Sequence, residues 1–289
     1  MGRDSRYMSR MSELLIFHKI ITHSGELTDD IFEDVVEAFQ EKVDILVDGD
    51  PGPETLWRLQ EPWTTQQHGL LFVRCAADIV PGVEGFDQLL LREDAAERYR
   101  ALKQDVNDLG GVVTTAGGKR PLNADVNTNR SAKSMHYSGL AFDLAVTSGF
   151  FKPETDPYVI SRTDDGGWTV WCRASEGKER SVKAVWWSNW NSGKDLSKRV
   201  TDRFVNFTEL CAAHGFAPIK PRKPFTRLEN RKYLASEWWH FQAADLLIPN
   251  LSQFGIELLR IEDYTAESIC SASENIWANR KAIFQKQWF

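Results

Sequence analysis

Helical and strand rhythms alternate along the chain. From Leu27 to Gln40 the text LTDDIFEDVVEAFQ sets Ile31, Val35, Val36 and Phe39 at helical spacing, and Thr28 or Asp29 can cap the start. Asp48-Gly49 and Pro51-Gly52 predict a tight loop, after which Pro53-Glu54-Thr55 opens a second helix with Leu56 and Leu59 facing inward. Pro62 to Gly85 reads as an ordered connection, because its prolines and glycines surround the apolar run LLFV, a strand. Phe86 to Leu109 reads as a helix with an apolar stripe through Leu89, Leu90, Ala95, Ala96, Tyr99, Leu102, Val106 and Leu109, stopped by Gly110-Gly111. GVVTTAGG predicts a short buried strand and a loop.

Pro121 to Lys133 is polar and asparagine-rich, hence a loop. Leu140 to Val146, LAFDLAV, is an apolar core strand carrying one acid. Between Phe150 and Lys198 the pieces YVISRT, WTVWCRA and VKAVWWS are separated by DDGG and SEGKERS, a hairpin pattern. Asp202 to Gly215 reads as a helix with Phe204, Phe207, Leu210 and Cys211 inward, and SEWWHF, from Ser236, as a strand. The tail from Ser268 to Phe289 is helical in pattern. These rhythms predict an α+β fold: an antiparallel sheet with helices packed to one side. The expected division is a helical module over 1–64, a connection over 65–85, a main domain over 86–262 and a helical tail over 263–289.

An acid inside an apolar strand is costly unless it is paired or bound to a metal. That singles out Asp143, which follows His136 by seven residues with Gly139 between them. Glu237 and His240, three apart, offer a second histidine and carboxylate. A zinc hydrolase needs three ligands, an open fourth position and a carboxylate to handle protons, and these four residues can supply that set. His136 belongs on a loop or bulge before the strand, since Gly139 lets the chain turn sharply.

The pattern S-x-H-x-x-G-x-A-x-D at Ser134, His136, Gly139, Ala141 and Asp143, followed by E-x-W-H at Glu237, Trp239 and His240, resembles the VanY-type D-alanyl-D-alanine carboxypeptidases. These belong with the phage L-alanyl-D-glutamate endopeptidases and share the hedgehog-like metallopeptidase fold. The similarity spans roughly Leu90 to Leu247. It implies that His136, Asp143 and His240 bind Zn2+ and that Glu237 is the general base. It offers Ser134 and Trp239 as candidate substrate-binding residues, although Trp238 and Trp239 read more readily as packing residues than as substrate contacts. The family's arginine motif has a looser counterpart in TTAGGKRPL, where two glycines intrude. Arg120 takes the arginine's place there, to hold a substrate carbonyl or carboxylate, with Lys119 and Arg130 as fallbacks.

A second likeness lies upstream. Phe39-Gln40, Asp48-Gly49, Gly52-Pro53, Thr55 and Leu59-Gln60 are similar to the signature of the small three-helix peptidoglycan-binding module, over roughly residues 12 to 62. A helical bundle that only packs on the main domain is the competing reading.

The 289 residues carry a formal charge of −6 and no long basic block, which argues against a nucleic-acid partner. The four cysteines are scattered without a C-x-x-C, so a thiolate zinc cluster is not expected and free, partly buried thiols are. Eleven tryptophans, among them Trp168, Trp171, Trp186, Trp187 and Trp190, could line a groove or fill a core. The N-terminal apolar run is broken by His18 and Lys19, and no run approaches the roughly 18 residues that would cross a membrane. The expectation is a monomer without a signal peptide or membrane span, made in the cytoplasm, acting on bacterial peptidoglycan and of phage or bacterial origin. Two alternatives stay open: an L-alanyl-D-glutamate or cross-bridge endopeptidase, and a non-catalytic wall-binding or virion structural protein that retains its zinc site.

Overall fold

The computed structural model describes residues 4–67, 69–124, 131, 133–187, 195–222 and 233–271. The fold is mixed α+β with antiparallel sheets; among the described residues there are seven α-helices and no closed barrel. The chain divides into two compact units, one of Met1–Leu71, Leu122–Ser134 and Leu247–Phe289, the other of Phe72–Pro121 and Met135–Leu246.

The first unit is built on α1 (Ser5–Phe17), α2 (Phe32–Lys42) and α3 (Pro53–Gln66). Asp4 caps α1 by accepting from the Arg6 and Tyr7 amides, and the helical spacing of Tyr7, Met11, Leu14 and Leu15 turns one apolar face inward. That face meets Phe32, Val36 and Phe39 of α2 and Leu56 and Leu59 of α3 in one buried cluster. α2 begins at Phe32, later than a cap at Thr28 or Asp29 would start it; Ile31 stands at the N-cap without a side-chain bond, and the Thr28 hydroxyl donates to the Asp30 carboxylate. α3 opens on Pro53, where a missing N–H costs nothing, and continues through Pro62 to Gln66. The connection expected from Pro62 therefore starts later. Gln40, 1% exposed, ties the loop between α2 and α3. Its amide donates to Asp48 Oδ1, the Asp50 carbonyl and Thr55 Oγ1, and its carbonyl accepts from the Asp48 and Gly49 amides.

The unit closes with α6 (Phe254–Leu259) and α7 (Ala266–Ser271). Leu251 joins the α1–α3 core, Gln60 donates to the Leu251 carbonyl at 3.0 Å, and Gln253 donates to the Pro53 carbonyl at 2.8 Å. The remainder of the expected C-terminal helix, like Arg130 and Trp190, lies outside the described residues.

In the second unit β1 (Phe72–Ala76), the strand expected from LLFV, pairs antiparallel with β2 (Gln88–Arg92), and β2 runs straight into α4 (Glu93–Asp108). The helix expected from Phe86 thus starts seven residues late. QLLLR satisfies either rhythm, and pairing with β1 decides it: Leu89 and Leu91 are buried on one side of the strand. A three-stranded antiparallel sheet orders β3 (Ala141–Asp143), β8 (His240–Gln242) and β7 (Ala217–Pro218). The GVVTTAGG segment is not a strand; it contributes a single antiparallel bridge from Gly117 to Asp143.

A second antiparallel sheet orders β4 (Tyr158–Arg162), β5 (Trp168–Trp187) and β6 (Asp195–Asn206). SEGKERS, expected as a turn, lies inside the 20-residue β5, whose register on β6 shifts between Arg173 and Lys178. The surplus residues are absorbed as a bulge, and Gly177 packs so closely on β6 that a Cβ there would sit 2.8 Å from Phe204 backbone atoms. The helix expected from Asp202 begins instead at α5 (Phe207–Ala213), capped by Asn206, which accepts from the Glu209 amide at 3.2 Å. Phe204 belongs to β6, where its ring reaches the sheet's own buried cluster. Trp168 and Trp187 are buried core residues.

Candidate metal centre

The β3–β8 register puts Asp143 directly opposite His240. A strand pair of three residues would fray alone, so the backbone around it is fastened from outside. The Asp143 amide donates to the Gly117 carbonyl at 2.9 Å, and the Ala116 amide donates back to the Asp143 carbonyl at 2.8 Å. His136 sits in the turn before β3, as its place in the sequence suggested. There the Leu140 amide donates to the Met135 carbonyl at 2.9 Å, and the Gly139 and Arg120 amides both donate to the His136 carbonyl. Gly139 holds φ +67°, and any Cβ there would meet the Arg92 amide nitrogen at 2.6 Å. Glycine is the residue this turn accepts.

Three donor groups converge. His136 Nε2 lies 3.1 Å from His240 Nδ1 and 3.3 Å from Asp143 Oδ2, and His240 Nδ1 lies 2.9 Å from Asp143 Oδ1. One ligand atom from each of the three residues falls within 4.8 Å of the others, so the group can hold a metal ion. Tetrahedral bonds of about 2.0–2.1 Å separate neighbouring ligand atoms by about 3.3 Å, close to the spacings found. Both imidazoles are buried, at 3% and 6% exposure. His136 Nδ1 donates to the Gly118 carbonyl at 2.6 Å, which leaves Nε2 of the neutral ring with a lone pair aimed at the centre. The two glycines before Lys119 now have a physical role. A Cβ on Gly118 would stand 2.3 Å from the Leu90 carbonyl oxygen, so only glycine brings that carbonyl of residue 118 to the imidazole.

Burial pushes the Asp143 carboxyl upward, but when the imidazoles of His136 and His240 are protonated and no metal lies between them, their charge and hydrogen bonds outweigh it and hold the group well below the usual carboxylate range. Glu237 behaves oppositely. Burial drives its carboxyl up; the Arg222 guanidinium and the His240 and His136 imidazoles oppose this, Asp143 reinforces it, and the net shift is upward. Glu237 is 8% exposed, occupies the left-handed backbone region at φ +52°, and forms an ion pair with Arg222 Nε at 2.6 Å. A glutamate in that conformation needs its surroundings to hold it. Here the His240 amide donates to the Glu237 carbonyl, the Trp168 indole donates to the Ser236 carbonyl, and the Trp238 indole donates to the Tyr233 hydroxyl.

Trp239 is 5% exposed, its ring set against Trp238 and Tyr233, and its carbonyl accepts from the Leu144 amide. Ser134 is half-buried, two residues ahead of His136. Arg120 touches the centre through its backbone, while its guanidinium lies 5.4 Å from the centre of the Tyr137 ring. The fallback Lys119 rests on the Phe72 ring at 3.9 Å. Arg222, which pairs with Glu237, was not singled out from sequence. It is one of several cations in the run KPRKPFTR, and no spacing distinguishes it. Cys75, Cys172 and Cys211 are buried and free, and burial pushes the Cys172 thiol up to about 12. Among the described residues no helix is long and apolar enough to cross a membrane.

No protein-family model, no curated protein and no solved structure matches this chain.

Proposed function

We propose that the chain is a zinc-dependent peptidase hydrolysing the stem peptide of bacterial peptidoglycan, of the D-alanyl-D-alanine carboxypeptidase type. One observation carries the reading: His136, Asp143 and His240 turn their donor atoms to a common point, and Glu237, three residues before His240, stands beside them as a buried carboxyl of raised pKa. Two imidazoles and one carboxylate form a donor set suited to zinc that leaves a fourth position for reactants. A zinc ion held there would supply Lewis acidity toward a scissile carbonyl and make water beside it acidic.

The remaining work falls to the chain. Glu237 takes the proton of the attacking water and passes it to the leaving amine, and its upward shift moves it toward the pKa such a base needs. The Gly118 carbonyl fixes the His136 ring by accepting from its Nδ1. Arg120 is the candidate to steady the developing oxyanion. The substrate class is supported by the likeness of both motifs to the VanY-type carboxypeptidases, and of the α2–α3 segment to peptidoglycan-binding modules. The first unit would raise the local concentration of the wall around the site residues.

Purified protein should contain about one zinc per chain, lost on His136→Ala. Glu237→Gln should keep the metal and lose at least ~100-fold in hydrolysis, the usual scale for general base catalysis. Mass spectrometry of digested peptidoglycan reads the bond: free D-alanine supports the carboxypeptidase, a new N-terminal glutamate the endopeptidase. Hydrolysis that survives Glu237→Gln would refute the mechanism. Wall binding without cleavage by the wild type would leave a non-catalytic binding protein.

A further inference from the structure

Glu237 does not face the centre alone. Arg222 Nε forms an ion pair with its carboxylate at 2.6 Å, and the Arg222 amide donates to the Ala235 carbonyl at 2.8 Å, which fixes the arginine's backbone beside the segment that carries the base. The two partners differ in exposure: the Glu237 side chain is 10% exposed and that of Arg222 39%. The guanidinium therefore pairs with a buried carboxylate while part of the arginine side chain stays open to solvent. Nε is the atom of closest approach, and among the described residues no hydrogen bond from the Nη atoms is found. A guanidinium has five N–H donors in a flat fork, so with Nε turned to Glu237 the end edge, one hydrogen from each Nη, is left to match a second carboxylate. The other cations near the site are occupied against rings, Arg120 on Tyr137 and Lys119 on Phe72.

We infer that Arg222 determines specificity by binding a carboxylate of the substrate on its outer edge while its inner edge holds Glu237. The inference rests on the peptidase reading and narrows its substrate to a peptide bearing a carboxylate close to the scissile bond. One rigid plane then sets the distance between substrate anchor and base. A lysine could neutralise Glu237 but has no second edge to offer. Two carboxylates of a stem peptide have this chemistry: the C-terminal carboxylate of a D-alanyl-D-alanine end, and the α-carboxylate of a D-glutamyl residue.

The test uses the full chain as purified and two ligand pairs. One is a D-alanyl-D-alanine peptide with a free or amidated C-terminus; the other is an L-alanyl-D-glutamyl peptide with a free or amidated α-carboxylate. Uncleavable versions, N-methylated at the scissile amide, are used for calorimetric binding. The unmethylated versions are used for KM and kcat. Wild type should bind the free carboxylate of one pair roughly 10- to 100-fold more tightly than its amide, the scale of hydrogen bonds to a charged group. Arg222→Lys and Arg222→Ala should both collapse that preference to under about threefold, with KM for the free acid rising. Circular dichroism confirms that both variants are folded, and the lysine variant retains a cation for Glu237. No preference in either pair, or a preference that persists in both variants, overturns the inference. An Arg222-dependent preference without any cleavage supports the carboxylate site and sinks the peptidase reading. Cleavage without a preference does the reverse.

Discussion

Replacing Gly139 by alanine tests whether the turn between His136 and Asp143 is the fixed point of the centre. Three costs can be read from the structure. A left-handed residue at φ +67° costs a side chain about 1–2 kcal/mol. The new Cβ would lie 2.6 Å from the Arg92 amide nitrogen and 2.7 Å from the Phe72 ring, and overpacking of this kind costs about 1–3 kcal/mol. The Arg92 amide also donates to the Gly139 carbonyl, a bond worth about 1 kcal/mol that any retreat lengthens. Retreat is difficult. Arg92 is fully buried, and its guanidinium grips Asp94 through two bonds of 2.8 Å at the head of α4. The sum, about 3–6 kcal/mol, is a large share of the about 5–15 kcal/mol that holds a domain folded. Gly117→Ala is the comparison. Its φ of +128° is also unfavourable, but its Cβ would meet nothing within 4 Å, so only backbone strain of about 1–3 kcal/mol applies. Urea unfolding followed by tryptophan fluorescence measures both variants, and metal analysis follows the site. A Gly139→Ala penalty below about 1 kcal/mol, or one equal to that of Gly117→Ala, would show that close packing does not hold this turn.

The same reasoning extends to other positions. Gln40→Ala removes five hydrogen bonds and strands the buried Gly49 amide, so the first unit should lose about 2–4 kcal/mol in a urea titration; a loss under about 1 kcal/mol would make the Gln40 network ornamental. The folded pKa of Asp143 is depressed, so its contribution to stability is present above the unfolded value of about 3.9 and is lost as pH falls through the folded value. Acid unfolding of Asp143→Asn should lack that component, and an acid limb identical to wild type would contradict the pairing with the two imidazoles.

Much of the scaffold was legible where one rhythm dominated a long segment. α3 from Pro53, the strand in LLFV and the β4 strand follow from local pattern alone. Misreadings fell where two rhythms fit. QLLLR continues the helical stripe of α4 and also alternates as a strand, and its partner β1 settled the matter. DRFVN, read as the start of a helix, pairs along β5 instead, because that strand runs on through SEGKERS by taking a bulge. A turn signal states that the chain can reverse; whether it does depends on the neighbouring strand.

The centre shows the same limit from the opposite side. Residue types and order were enough to bring together His136, Asp143 and His240, because an acid in an apolar strand must be compensated and few side chains compensate it. What orients them was hidden, since main-chain groups carry no sequence label. The Gly118 carbonyl sets the His136 tautomer, and the glycines that broke the expected arginine motif are what allow it to approach. Arg222 was hidden for a related reason. A guanidinium gains meaning from what lies at each of its edges, and the buried carboxylate at one edge belongs to a glutamate fifteen residues away whose left-handed backbone no pattern announces. Residue types able to hold a metal can therefore be read from the text, whereas the groups that aim them depend on backbone approach and shared exposure, which only the folded chain supplies.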